Sequence, residues 1–163
     1  LRALEGKIQI YLPDLKYLDS DAAGRYSGAP DYPQTAQAAI REMVRQTGPC
    51  AFDGDGLLTR GVVIRHLILP GQVSQAKAVM DWVAAEFGPG TVLFSLMSQY
   101  TPWGRSAEFP EIHRRLRAGE MRAAAEYMAN LGLEGFTQER TSAQREYTPP
   151  FDLTGVAGEG GAL

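Results

Sequence analysis

The stretch Tyr11-Leu12-Pro13-Asp14-Leu15-Lys16-Tyr17 decides how the rest of this chain is interpreted. Alternating apolar residues lead into it, which predicts a strand over residues 7–12. Side chains two positions apart on a strand point to the same side, so Asp14 and Lys16 share one face if the strand continues past Pro13. Pro13 lacks a backbone donor and marks a strand end or a sheet edge. A carboxylate and an ammonium at a strand end favour a site of chemistry, although a structural ion pair explains the same pattern.

Beyond this stretch the chain alternates strand and helix patterns. Two near-continuous apolar runs, Val62–Leu69 and Thr91–Met97, have the composition of parallel strands covered on both faces. The long loop predicted over residues 17–32, with one helical turn, follows a strand end, and its length favours a functional role. The other predicted segments are a helix from Pro33 to Gly48-Pro49, a loop over 50–60, a helix capped by Ser74 and closed by Gly88, a short helix from Pro110, a helix over Glu120–Leu131 and a strand over Gly135–Glu139.

The alternation of strand and helix predicts an α/β fold with a parallel sheet and right-handed crossovers. About three βα units are too few for a closed barrel of eight strands, so the sheet stays open at its first strand. Parallel sheets rarely leave an edge bare, which predicts that the chain is part of something larger or pairs with a partner. The Gly-rich segment 153–163 lacks apolar anchors and is predicted to be a disordered tail.

Composition excludes several classes of function. The net charge of -3 provides no basic surface for nucleic acid, and no apolar run approaches the roughly 20 residues that span a bilayer. The single cysteine, Cys50, excludes an internal disulfide and suits a reducing cytoplasm. It also excludes any site that needs several thiolates from this chain.

Three strand-ending motifs, taken in order, resemble a known family. They are Asp14-Leu15-Lys16, Val63-Ile64-Arg65-His66-Leu67-Ile68-Leu69-Pro70-Gly71 and Ser95-Leu96-Met97-Ser98-Gln99-Tyr100. The chain is similar to the C-terminal half of radical S-adenosylmethionine proteins related to the pyruvate formate-lyase-activating enzyme. The resemblance implies a partial (β/α) barrel of about six units, of which residues 1–152 supply the last three, open at the first strand.

The resemblance also implies roles for individual residues. Asp14 and Lys16 match an acid and a lysine beside the cofactor's carboxylate, and the acid also helps to hold a monovalent cation. Arg65 matches an arginine that faces the cofactor from the next strand, at or near the height of Asp14. Tyr100 or Thr101 stands where the activating enzyme has a histidine that contacts ligand. No residue of this chain is assigned a catalytic role.

Two further residues are expected to lie away from this site. His66 points the opposite way from Arg65 along its strand, so it is expected to pack in the core. Cys50 falls at the far face of the fold and is interpreted as incidental. If Asp14, Lys16 and Arg65 line one cavity, either they satisfy one another or they leave donors and acceptors for a ligand, and the resemblance implies the second.

The resemblance implies S-adenosylmethionine and a [4Fe–4S] cluster as cofactors of a longer natural protein. The family binds the cluster through a C-x3-C-x2-C motif, which this sequence lacks, so no cofactor is expected in the chain alone. A chain without an initiating Met also predicts a longer protein. The implied partners are a glycyl radical enzyme as protein substrate, and the missing N-terminal half or a second chain at the open edge.

Two other functions remain open from the residues. A non-catalytic half-barrel that binds a partner through its exposed edge needs no cysteines. An aldolase-type barrel with Lys16 as Schiff-base amine is the other. The adjacent Asp14 argues against it, because a neighbouring carboxylate keeps an amine protonated.

Overall fold

The computed structural model describes residues 1–138, and Glu139 and the predicted Gly-rich tail lie outside the described residues. Four parallel strands form a sheet in the order β1-β3-β4-β5, and a short strand, β2, pairs antiparallel with β3. The strands are β1 (Ile10–Tyr11), β2 (Ala51–Phe52), β3 (Leu58–Leu67), β4 (Leu93–Met97) and β5 (Gly135–Gln138), and the helices are α1 (Ser20–Ser27), α2 (Tyr32–Thr47), α3 (Val73–Glu86) and α4 (Ala118–Asn130). The predicted α/β class with a parallel sheet is confirmed.

Strand β1 is short because Pro13 interrupts its ladder. The register that pairs Ile10 with Gly61 is nevertheless kept, and Asp14 lies directly opposite Arg65. The Arg65 amide donates to the Pro13 carbonyl and the Leu15 amide donates to the Arg65 carbonyl, both at 2.9 Å. The chain therefore stays in strand-like pairing past the proline, as far as the charged residues.

The sheet has two faces with different surroundings. Helices α2, α3 and α4 cover one face, the helix face, where Leu15, Ile64, Phe94 and Leu96 are fully buried. Burial of each such side chain stabilises the fold by about 1.5–3 kcal/mol relative to exposure. The opposite face, here called the open face, carries the alternate residues of the same strands.

Strand β5 requires a glycine at its start. Gly135 has φ +150°, and a Cβ at this position would collide with the backbone of Phe94. Any other residue would push β5 away from β4. No helix within residues 1–138 is both long enough and apolar enough to cross a membrane.

Three predictions on local structure are wrong. The loop predicted over 17–32 contains the two-turn helix α1, because the Asp19 side chain caps it by accepting from the amides of Asp21 and Ala22. The loop predicted over 50–60 is a β2–β3 hairpin. No helix begins at Pro110; a 3-10 turn over Gly104–Glu108 precedes it instead.

One helix start also differs from its prediction. Helix α3 begins at Val73 after Gln72, so Ser74 lies inside the first turn and is not its cap. The predicted strand that ends the fold is present as β5, and the helix predicted over Glu120–Leu131 is α4, shifted by two residues at its start and one at its end.

Candidate functional site

A polar row crosses the open face of the sheet. Asp14 lies beside Arg65 in register, and Arg65 lies beside Ser95 on β4. Aligned residues of parallel strands point to the same side, so the three side chains share the open face. They stand near the carboxyl ends of their strands, the edge at which open α/β sheets bind ligands.

The polar row contains an ion pair with unused hydrogen-bonding capacity. Arg65 Nη2 lies 2.8 Å from Asp14 Oδ1, and the two side chains are 41% and 35% exposed. Within residues 1–138, three buried polar atoms lack a hydrogen-bond partner, and all belong to this row: Asp14 Oδ1, Arg65 Nε and Ser95 Oγ. The contact between Asp14 and Arg65 is thus electrostatic without hydrogen-bond alignment. Arg65 Nε and Ser95 Oγ therefore have hydrogen-bonding capacity that a further group could use.

Hydrogen bonds from Tyr32 and His66 fix the backbone from Asp14 to Lys16. The Tyr32 hydroxyl donates to the Asp14 carbonyl at 2.7 Å and accepts from the Lys16 amide at 3.0 Å. His66 Nδ1 lies 2.7 Å from the Leu15 carbonyl, which can only accept, so Nδ1 carries the hydrogen. Burial raises the pKa of the Tyr32 phenol, which keeps its hydroxyl a donor. The segment from Asp14 to Lys16 is therefore fixed before any ligand arrives.

His66 lies on the helix face, as its position next to Arg65 predicts. Its ring is stacked near Phe94, with centroids 6.4 Å apart, and only 2% of the residue is exposed. Burial lowers the pKa of the imidazole below its usual 6.5, and the hydrogen bond to Leu15 opposes this only in part. His66 is a neutral scaffold residue.

Lys16 is not tied into the polar row. Its side chain is exposed, and it forms no ion pair with Asp14 within residues 1–138. Lys16 borders a small hollow of about 10 Å³ next to His66, which has room for about one water molecule. Lys16 therefore lies exposed beside the site.

An aromatic cavity lies at the same carboxyl edge. Tyr17 follows β1, Leu69 follows β3 and Tyr100 follows β4, so three strand ends contribute to it. Its volume is about 290 Å³, and its lining residues are Tyr17, Tyr26, Leu69, Tyr100, Trp103, Arg105, Ser106, Phe109 and Ile112. The structure thus places Tyr100 in this cavity rather than in the polar row. Thr101 is half-buried beside it and does not line the cavity.

Cys50 lies at the opposite edge of the sheet. Its sulfur is 3.7 Å from the Thr91 carbonyl and 3.9 Å from the Val62 carbonyl, near the amino ends of the parallel strands. It also fills the space beside Gly61, where a Cβ would overlap the sulfur. Residues 1–138 contain no group of three or more His, Cys, Asp or Glu side chains that could hold a metal ion. One remote thiol does not fit an iron–sulfur cluster.

Sequence reasoning missed several residues of this region. Ser95 is the one polar residue in the apolar run of β4, and that isolation is a signal that could have found it. Tyr32 gives no such signal in the sequence. Its hydroxyl reaches the backbone after β1 only because α2 packs back towards that strand. Tyr26 belongs to a segment predicted as a loop, and Phe109 precedes the short helix predicted from Pro110, so the contact between these two rings was not predicted.

Comparisons with known proteins give a distant relationship. No family model matches the chain. An uncharacterised protein of Methanocaldococcus jannaschii is 24% identical over 135 residues, or 82% of this chain, and the chain spans 35% of that protein's length. A domain of pyruvate-formate lyase-activating enzyme from Bacteroides vulgatus superposes with a TM-score of 0.56 at 13% identity, covering 85% of this chain and 72% of that chain. At this identity the likeness shows that the two share a fold.

Proposed function

We propose that this chain is the C-terminal half of a radical S-adenosylmethionine enzyme, and that its polar row binds the cofactor. The observation that carries the proposal is the Asp14–Arg65 ion pair with unused donors and acceptors at the carboxyl edge of a parallel sheet. The shared fold with a domain of an activating enzyme supports it. So does the match of Asp14, Lys16 and Arg65 to the strand-ending residues of that family.

The residues present fit the polar groups of S-adenosylmethionine. Arg65 Nε and Ser95 Oγ each have a hydrogen to donate, and Asp14 Oδ1 can accept one. The exposed ammonium of Lys16 is a suitable counter-ion for the carboxylate of the methionyl group. Tyr100 and Thr101 are proposed to contact the nucleoside from the loop after β4. We also propose that a carboxylate oxygen of Asp14 binds a monovalent cation. The positive charge of Arg65 competes with this cation for the same carboxylate.

The chemistry itself requires more than this chain contains. In the proposed enzyme the cofactor is the source of the radical that removes a hydrogen atom from carbon. This chain binds and orients the cofactor's polar groups. With Cys50 at the far edge, its residues do not fit the [4Fe–4S] cluster, so the proposal assigns the cluster cysteines to a preceding segment of the natural protein. A glycyl radical enzyme is the proposed protein substrate, supported by the activating-enzyme name of the structural relative.

A second candidate is a non-catalytic half-barrel that binds a partner. The open face favours it, because Leu12 is 55% exposed and Phe136 is 47% exposed on the two outer strands of that face. Such side chains next to the polar row form a surface that another polypeptide could cover. In the enzyme that polypeptide is the N-terminal half, and in the second candidate it is another protein.

The complete gene product separates the two candidates. The enzyme proposal predicts an upstream three-cysteine motif, a cluster absorbance after anaerobic reconstitution, and calorimetric binding of S-adenosylmethionine. Lys16→Ala should weaken that binding about tenfold by removing the counter-ion, while Lys7→Ala, a matched exposed lysine near the amino end of β1, should leave it unchanged. A gene that starts at Leu1, or a reconstituted product that does not bind the cofactor, favours the non-catalytic candidate.

A further inference from the structure

The aromatic cavity has walls that are held in place from behind. The Tyr26 hydroxyl donates to Glu111 at 3.1 Å, and Gln72 Nε2 lies 3.4 Å from the same hydroxyl. Tyr26 and Phe109 meet edge to face with centroids 5.3 Å apart. Arg25, which does not line the cavity, lies 5.1 Å from the Phe109 centroid and is paired with Glu111 at 2.8 Å. These rings are fixed by contacts outside the cavity, so binding would not require them to be ordered first.

The rest of the cavity wall includes Tyr17, Tyr100 and Ser106 and has a polar edge. Tyr17 lies 6.4 Å from Tyr26 between centroids, and its hydroxyl accepts from Ser27 at 3.1 Å. Burial raises the pKa of the Tyr100 phenol, an effect that a hydrogen bond from Ser106 opposes in part. Tyr100 therefore remains a neutral hydroxyl at physiological pH. Its hydroxyl and that of Ser106, which also lies 3.1 Å from His113 Nδ1, form one polar edge of the lining, Arg105 forms another, and the remaining lining residues are aromatic or aliphatic.

The charges near the cavity are already paired. Arg105 is the one charged residue of the lining, and its guanidinium makes two contacts with Glu108, at 3.0 and 3.1 Å. Arg25 behind the wall is paired with Glu111 in the same way. A charged ligand would lose its hydration here without gaining a counter-ion, which is costly. Among the described residues, the lining therefore offers a charged ligand no unpaired counter-ion.

The size and shape of the cavity limit which ligands it can bind. An apolar cavity of about 150 Å³ binds benzene, so about 290 Å³ accommodates one ring or two fused rings. Trp103, which is 64% exposed, and Arg105 are the exposed members of the lining and border its mouth. Edge-to-face and offset contacts with five aromatic residues favour an aromatic ring over an aliphatic chain of equal size.

We propose that the aromatic cavity is a binding site for an uncharged one- or two-ring aromatic group that has a single polar substituent. In this site the bound ring contacts Tyr17, Tyr26 and Phe109. Trp103 covers the ring at the mouth of the cavity. The hydroxyl groups of Tyr100 and Ser106 form hydrogen bonds with the polar substituent. Asp14, Lys16 and Arg65 do not line this cavity. The inference thus adds a site beside the proposed cofactor site, and Tyr100 is a residue that the two share.

The test uses the complete gene product, four probes, and p-xylene as the comparison compound without a polar substituent. Indole and p-cresol represent free small molecules, and N-acetyltryptophanamide and N-acetyltyrosinamide represent the same rings on a polypeptide. Binding measured by ligand-observed NMR and calorimetry is expected at millimolar or lower concentration. Tighter binding of the free rings identifies a small-molecule site, and tighter binding of the amides identifies a protein side chain as the occupant.

Two variants and a control make the result specific. Trp103→Ala should weaken the best probe about five- to tenfold, because one ring contact is lost. Tyr100→Phe should weaken p-cresol but not p-xylene, because only the polar edge changes. Leu57→Ala truncates another exposed apolar residue, on the distant β2–β3 hairpin, and should change nothing. Absence of binding by all four probes overturns the inference, as does equal weakening by Leu57→Ala and Trp103→Ala. S-adenosylmethionine affinity, measured separately, reports on the proposed function alone.

Discussion

The two faces of β3 differ most clearly at neighbouring residues, His66 and Arg65. His66 is buried, neutral and hydrogen-bonded to the Leu15 carbonyl on the helix face. Arg65 points to the open face, where its Nε is buried without a hydrogen-bond partner within residues 1–138. Leu15 and Asp14 repeat the same contrast on the next strand. On the helix face, packing and hydrogen bonds satisfy the side chains. On the open face, hydrogen-bond donors and an acceptor remain available to a further group.

This contrast separates residues that hold the fold from residues that are available for binding. If it is correct, substitutions one position apart along a strand should affect different properties. Helix-face substitutions should reduce the free energy of unfolding, and open-face substitutions should reduce ligand affinity with little change in stability.

The largest expected effect compares Phe94 with Ser95. Phe94→Ala should reduce the free energy of unfolding by about 3–5 kcal/mol, because it opens a cavity in a fully buried core. Ser95→Ala removes a buried hydroxyl that has no partner within residues 1–138, so the stability of the ligand-free protein should stay the same or rise. Urea denaturation of the two variants measures both. A large loss of stability in Ser95→Ala would mean that the hydroxyl supports the fold.

The second effect is a pH dependence that belongs to the helix face. Because burial lowers the pKa of His66 in the folded state, the unfolded chain binds a proton more readily below pH 6.5. Stability should therefore be fully present above pH 6.5 and fall as the pH is lowered, by at most about 1.4 kcal/mol per pH unit from this group. His66→Gln should remove this dependence, as seen in denaturation curves between pH 5 and 8.

A second histidine controls for general acid effects. His113 is exposed and contacts Ser106 through its ring nitrogen. His113→Gln should keep the same fall in stability at low pH as the unaltered protein. A pH dependence that persists in His66→Gln but is lost in His113→Gln would place the pH sensitivity outside His66.

A smaller effect concerns the clamp on the Asp14–Lys16 backbone. Tyr32→Phe removes one hydroxyl that makes two hydrogen bonds, so the unfolding free energy should fall by about 1–2 kcal/mol. Cofactor affinity should also fall, because the segment loses its fixed position. Tyr127→Phe removes a hydroxyl bonded to Asp81 at an exposed site, and neither property should change appreciably. An unchanged affinity in Tyr32→Phe would show that the clamp does not position the site.

The sequence could predict the parts of this site that depend on strand periodicity. The opposite orientations of Arg65 and His66 follow from alternation along one strand, whereas the position of Arg65 near Asp14 was implied by the resemblance. The fold class follows in the same way from the order of the elements. Both depend on local pattern, which a single sequence contains.

Other parts depend on tertiary contacts that the sequence does not reveal. Gly24 and Gly28 suggested a loop, and only the Asp19 cap with the burial of Ala22 and Ala23 makes a helix there. Ser95 joins the polar row through the register of β4 against β3. The expected grouping of Tyr100 with Asp14 depended on the resemblance, and the structure places Tyr100 in the aromatic cavity.

The central claim is that the Asp14–Arg65 pair serves a ligand and not the fold. The most direct test is the double variant Asp14→Asn, Arg65→Met in the complete gene product, because removal of both partners leaves no unpaired charge. Its unfolding free energy and its calorimetric affinity for S-adenosylmethionine are measured side by side with those of the unaltered protein. The account predicts a stability within about 0.5 kcal/mol and an affinity at least tenfold weaker. A variant that loses several kcal/mol of stability, while its folded fraction binds the cofactor normally, would contradict it.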